Sequence, residues 1–275
     1  MRHRRTMHSI PVRTPDLRFD EAIPVLWFRE NAFLTFLFNG FNLTFPEGER
    51  FFVRAVHDHL GRVTDPELRA QARAFSGQEG QHARIHERLF DALRAQGFDL
   101  NPFFERYDAY CRRVAKNWSG LRLAVTAALE HYTATLAALV FLPGFMDGVH
   151  TPIRKLLVWH ATEELEHRAV AFDVLRATRP GYFLRALGFV LASVSVVCWI
   201  AIGMRVFIKQ SGMSRERLRE DARATVKLLD GYPLWSTLFS YLRPGFHPND
   251  AGPIDLALTQ LRAEGLDVVP SRLPA

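Results

Sequence analysis

The chain has 275 residues, a mass of 31.5 kDa and 48% hydrophobic residues, which is ample for a large buried core and excludes intrinsic disorder of the whole. Its two cysteines, Cys111 and Cys198, exclude a disulfide framework and a thiolate-ligated zinc site, and suit a reducing compartment. The formal charge of +6 and pI near 9.7 reflect Arg spread along the whole chain, since only four of the 35 basic residues are Lys, so no nucleic-acid partner is expected.

The basic opening, Met1 to Arg5, is followed by prolines and charges rather than an apolar run, so no secretion signal is expected. From about residue 20 onward helix signals dominate and period-two alternation is lacking, which gives an all-α fold. The aromatic segment Val25 to Phe45 is either a continuation of the next helix or a hydrophobic lid. Thr44-Phe-Pro-Glu47 has capping-box spacing and opens a helix expected to run to Leu60, with Glu47 read as a cap. Thr64-Asp-Pro-Glu67 opens a second helix expected to reach Gly97, and Pro102 to Trp118 a shorter crossover helix. A third long helix follows Ser119-Gly120 and ends at Pro143-Gly144. A fourth begins near Thr151-Pro152 and ends at Arg179-Pro180-Gly181.

After these helices comes Ala186 to Met204, nineteen residues without a charge, bracketed by Arg185 and Arg205. That length just reaches the ~20 residues that span a bilayer. In a membrane the Arg flanks and the basic residues from Lys209 to Lys227 would meet headgroups. In a soluble core or a dimer interface, Gly188, Ser193, Ser195 and Gly203 would be packing contacts. The expectation is attachment to the inner face of the cytoplasmic membrane, with a homodimer as the rival. A basic amphipathic segment, Ser214 to Leu229, then Pro233 to Arg243, a Pro-Gly-Phe-His-Pro turn and a short terminal helix complete the chain. The expected organisation is a basic, aromatic lead-in (1–43), a four-helix core (44–178), an apolar helix (181–209) and a basic helical tail (210–275).

Two Glu-x-x-His motifs, Glu79/His82 and Glu164/His167, fall on the second and fourth helices. Residues three apart share a helical face, so each motif can direct a carboxylate and an imidazole at one metal ion. The first and third helices each offer one acid among apolar neighbours. Glu49 shares its face with Phe45, Phe52, Val53 and Val56, and Glu130 lies among Thr126, Ala127, Thr133, Ala134 and Ala137. A carboxylate buried in such a stripe needs a partner, which a metal ion supplies. The spacings repeat: 81 residues separate Glu49 from Glu130, and 85 separate the two Glu-x-x-His motifs. That order is the ligand set of ferritin-like dinuclear carboxylate proteins.

The strings FPEGERFFVRAV, QEGQHARIHERL, ALEHYTA and WHATEELEHRAVAFDVL resemble the family of predicted metal-dependent hydrolases, a ferritin-like group of bacterial proteins. The similarity spans roughly residues 40 to 250. It implies a ferritin-like four-helix bundle, here with an additional apolar helix and a short helical tail. It also implies Glu49, Glu79, His82, Glu130, Glu164 and His167 as ligands of two metal ions.

Several neighbours admit two roles. His86 and His160 lie on or near the metal-facing stripe, as further ligands or as buried histidines. His131 points about 100° away from Glu130 and reads as structural. Asp173 is a candidate acceptor for a ligating imidazole. Glu166 is expected to face water or pair with an Arg, and Glu163 is the one candidate catalytic base. The carboxylate-rich donor set favours two Fe ions, with Mn possible, and hence an O2-dependent oxidase or oxygenase of a hydrophobic small molecule served by an electron donor. The alternatives are hydrolysis through a metal-activated water and a non-enzymatic metal-binding role.

Overall fold

A computed structural model describes residues 10–19, 22–116, 118–178, 180–252 and 254–269, and the described residues contain helices and no strand. Helix α1 (Ala32–Asn42) leads almost without a break into α2 (Phe45–His57), because Leu43 and Thr44 keep helical backbone angles. The expected capping box is therefore not formed. The Thr44 hydroxyl turns back to donate to the Phe41 carbonyl, and Glu47 pairs with Arg50 instead. Helix α3 (Pro66–Ala95) does begin as its sequence suggests, with Asp65 accepting from the Glu67 amide ahead of Pro66. Helix α4 (Asn101–Val114) is the crossover, and α5 (Ser119–Ala137) ends in a 3-10 turn over Ala138–Phe141.

The fourth expected helix is two. Helix α6 (Thr151–His167) stops at its last predicted ligand, a turn at Arg168 and Ala169 follows, and α7 (Val170–Ala177) resumes. Arg168 reaches away from the break to the Gly252 carbonyl.

Helix α2 packs on α3 and α5, and α6 packs on the same two, so these four helices close around a shared interior. The apolar run lies within α8 (Tyr182–Ser211), which packs along α1 and α5. Close approach explains its small residues. A Cβ on Gly203 would lie 2.6 Å from the Gly40 carbonyl oxygen, and one on Gly188 would lie 2.6 Å from that of Ala124. Ser193 accepts from the Tyr132 hydroxyl at 2.7 Å and Ser195 from that of Tyr110 at 2.9 Å. The tail folds back onto the body. Helix α9 (Arg215–Leu228) lies on α1, where Asp221 accepts from the Ala32 amide at 2.7 Å; α10 (Leu234–Ser240) lies on α5 and α11 (Asp255–Ala263) on α6.

The two apolar helices long enough to cross a membrane differ in their surroundings. Within residues 119–141, 72% of the most apolar 18-residue window is buried, as befits the centre of the body, whereas only 22% of the corresponding window of α8 is buried.

Candidate metal centre

The four enclosing helices bring together the six residues named from the sequence. Glu49 comes from α2, Glu79 and His82 from α3, Glu130 from α5, and Glu164 and His167 from α6, all buried. The Nδ1 atom of His82 lies 3.9 Å from Glu49 Oε1, 3.6 Å from Glu79 Oε2 and 3.8 Å from Glu164 Oε1. The Nε2 atom of His167 lies 3.3 Å from Glu79 Oε1, 3.4 Å from Glu130 Oε2 and 3.4 Å from Glu164 Oε2. Glu79 and Glu164 thus turn one oxygen toward each imidazole, while Glu49 and Glu130 stand at opposite ends. Donors about 2.1 Å from a common ion are ~3.0–3.4 Å apart at octahedral or tetrahedral angles; the His167 separations fall in that range, and those of His82, at 3.6–3.9 Å, are somewhat wider.

All but one of these donor atoms are otherwise unused, the exception being Glu164 Oε1, which faces His160. Both oxygens of Glu49, Glu79 and Glu130, Oε2 of Glu164, Nδ1 of His82 and Nε2 of His167 are buried without a hydrogen-bond partner. So many converging orphaned acceptors would be prohibitive in a merely structural core and fit a bound cation. Burial first, and then the charge of Glu79, pushes Glu49 and Glu130 above their ordinary range. Burial also raises Glu79, against the opposing pull of His82 and His167. Glu164 is held low, because His167 and His160 outweigh burial. Burial would lower both motif histidines, yet the carboxylates around them hold His82 and His167 above their ordinary values.

The outer nitrogen of each motif histidine is fixed by a separate partner. Gln78 donates its amide to the Pro11 carbonyl and to Glu166, both at 2.9 Å, so its Oε1 is left to accept from His167 Nδ1 at 3.0 Å. That bond keeps the Nε2 lone pair aimed inward. His82 Nε2 donates to Glu163 Oε2 at 3.0 Å, and Glu163 Oε1 accepts from Arg13 at 3.3 Å. Glu163, expected as a catalytic base, therefore has both oxygens engaged and positions His82. Glu166 pairs with an Arg, as expected: Arg13 grips it with two bonds of 2.7 and 2.8 Å and donates its Nε to Asp267 at 2.7 Å. Burial would lower the Arg13 guanidinium, but Glu166 and Asp267 outweigh it and hold Arg13 above its ordinary value.

His160 and His86 form a second imidazole pair. His160 Nε2 lies 2.9 Å from Glu164 Oε1, its ring stacks on His82 with centroids 4.0 Å apart, and its Nδ1 meets His86 Nε2 at 2.6 Å. Glu49, His82 and His160 offer donor atoms within 4.8 Å of one another, as do Glu79, Glu164 and His167. Burial and the nearby His82 lower His160 to about 4, and burial lowers His86 as well, so both rings are neutral at pH 7 and suited to metal ligation or its support.

Two other readings resolve away from the centre. His131 donates toward the carbonyls of Thr237 and Leu238, at 3.1 Å each. Asp173, a candidate acceptor for a ligating ring, instead accepts from His247 Nε2 at 3.0 Å, because α7 begins beyond the break and carries it aside. Sequence reasoning passed over Gln78 and Arg13. Gln78 had only its place beside Glu79 as a signal, and Arg13 had none.

An apolar cavity of about 200 Å³ ends on His160 and Glu164, lined by Leu37, Phe38, Phe41, Thr133, Leu136 and Ala137 among others. Of the small residues named around Glu130, Thr133 and Ala137 border the cavity. A larger open groove of about 810 Å³ beside His131 and Arg168 touches none of the six residues.

Fold and site together define an all-helical protein with a buried carboxylate–imidazole centre. A family model described as predicted metal-dependent hydrolase matches residues 11–252, and the chain belongs to that family. No curated protein and no solved structure matches the chain.

Proposed function

We propose that the chain is a two-metal enzyme that hydrolyses a lipophilic small molecule. A ferritin-like ligand set would hold the ions: Glu49 and His82 would serve one, Glu130 and His167 the other, Glu79 and Glu164 would be shared, and His160 would be a further donor to the first. One observation carries this reading: Glu79 and Glu164 each turn one oxygen toward each imidazole, in a buried cluster where both oxygens of Glu49, Glu79 and Glu130 have no hydrogen-bond partner. Four carboxylates make a hard donor set, for which Fe or Mn is the expected occupant. When bound, two such ions supply an acidified water and a polarised substrate oxygen, or, if redox-active, electrons for dioxygen.

The chain's own residues set the rest. Gln78 and Glu163 orient the two imidazoles, and the Phe-rich wall of the cavity excludes water and admits an apolar group to within reach of Glu164. Family membership favours hydrolysis. A second reading, O2-dependent oxidation served by an electron donor, is favoured by the engagement of both Glu163 oxygens, which takes up the carboxylate expected as a base beside the centre.

Metal substitution separates the two. The Zn form should cleave a lipophilic ester or phosphoester without oxygen, with a pH profile set by a metal-activated water. If the Zn form is inert while the Fe(II) form consumes oxygen and develops a charge-transfer band, hydrolysis is wrong and oxidation stands. An anaerobically purified chain with fewer than two ions would overturn the dinuclear reading itself.

A further inference from the structure

Helix α8 has two faces of opposite use. Its inner face is fastened to the body at both ends, through Gly188 on α5 and Gly203 on α1, with the Ser193 and Ser195 bonds between them. Its outer face carries Phe183, Leu187, Val190, Val194, Val197 and Ile202, spaced three to five residues apart and 36–86% exposed. At 1.5 Å per residue this stripe is about 29 Å long, more than a soluble monomer ordinarily leaves in water.

Exposed charge lies at one end of the stripe and in the helix that follows it. No acid lies between Tyr182 and Ser211, and Arg185 is buried beneath aromatic rings. The exposed charges of the helix are Arg205 and Lys209 at one end. Helix α9 follows with Arg215, Arg219, Arg223 and Lys227 exposed, and its five basic residues outnumber its three acids. Helix α10 adds two more exposed aromatics, Trp235 and Phe239, the latter with its ring 6.1 Å from that of Phe189.

We propose that this face docks the protein on a lipid bilayer with anionic headgroups, with α8 lying in the plane of the interface and not crossing it. A helix fixed along its length to a folded body cannot leave that body to span a membrane alone, whereas an apolar stripe with basic flanks is the pattern of an interfacial helix. The apolar cavity points the same way. Ile200 of α8, Leu229 just beyond α9 and Leu234 of α10 all line it, so the elements that meet the lipid also wall the route to Glu164. The substrate would then be a lipid-dissolved molecule taken from the bilayer; this last step rests on the catalytic reading, while the docking surface does not.

The test is flotation of the purified, metal-loaded full chain with phosphatidylcholine vesicles, with and without phosphatidylglycerol, alongside metal analysis of the same samples. The chain should float with the anionic vesicles, binding them on the order of tenfold more tightly than neutral ones. A Val190→Glu, Val194→Glu double variant places charges only on exposed positions, so it should keep its helix content and its metal while losing at least about a hundredfold in vesicle affinity. Failure of the wild type to float, or undiminished binding by the variant, overturns the proposal. So does a wild-type dimer in solution that this variant dissociates, because a second copy then covers the face. Two bound ions without vesicle binding would refute docking alone, and vesicle binding without metal would refute the catalytic reading alone.

Discussion

Replacing Gln78 by Leu removes the acceptor that holds His167 Nδ1 at 3.0 Å, together with the two amide bonds that lock Gln78 itself. Loss of a partner that orients a metal-ligating histidine typically weakens metal binding about 10–100-fold, or about 1.4–2.7 kcal/mol. His82 is oriented independently, through Glu163, so the loss should fall on one ion only. Titration of the metal-free protein with Mn(II) against a competing fluorescent chelator would resolve two binding steps in the wild type and shift one of them in Gln78→Leu. Glu163→Leu should shift the other. Ala at Glu79 or Glu164, whose oxygens face both imidazoles, should degrade both steps. An equal shift of both steps in Gln78→Leu, or none, would refute the separate steering of the two ions.

Other consequences are open to measurement. Gly203→Ala drives a Cβ against backbone atoms of Gly40 that cannot swing aside, so thermal unfolding should show a loss of about 1–3 kcal/mol, less about 1 kcal/mol of gained helix propensity. Gly80→Ala, with open space around the new Cβ, should gain up to about 1 kcal/mol instead. Ala137→Phe should fill the apolar cavity, abolishing turnover of bulky substrates while two ions still bind by metal analysis. The metal-free protein should lose stability as pH rises above about 6.5, where the lowered Glu164, His86 and His160, which act in the opposite sense at more acid pH, have finished titrating and two raised sets remain. Glu49 and Glu130, raised by burial, favour folding less once pH passes the ordinary carboxylate value near about 4.3. His82 and His167, raised by their carboxylates, contribute stability below about 6.5 that disappears as pH climbs through their raised values. Metal loading should reverse the trend, and parallel melting curves that keep the same pH slope with and without metal would count against the site.

What the sequence could and could not reveal follows from the range of each interaction. Glu79/His82 and Glu164/His167 were legible because a three-residue spacing fixes a common helical face whatever the surrounding fold. The break after His167 was not, since nothing in the local pattern of residues 160–178 departs from a continuous helix. Thr44 misled because a capping signal assumes a non-helical residue before it, whereas α1 delivers the chain already helical. The apolar run posed a choice between packing and exposure, and α8 does both. Its glycines find their purpose only against Gly40 and Ala124, far away in the chain. Arg13 was invisible for the same reason, its partners lying 150 to 254 residues downstream.

That last distance bears on how the protein is made. Thr14 donates its amide to the Val268 carbonyl at 3.0 Å beside the Arg13–Asp267 pair, so the segment near residue 13 is tied to one that leaves the ribosome 254 residues later. Until then Arg13 lacks one of its three carboxylate partners, and the layer that steadies Glu163 and Glu166 behind the centre is incomplete. Metal captured before Asp267 has been made would sit in a looser cage than metal captured afterwards, and a chain stopped just after Glu264 should load its ions yet exchange them faster than one that contains Asp267.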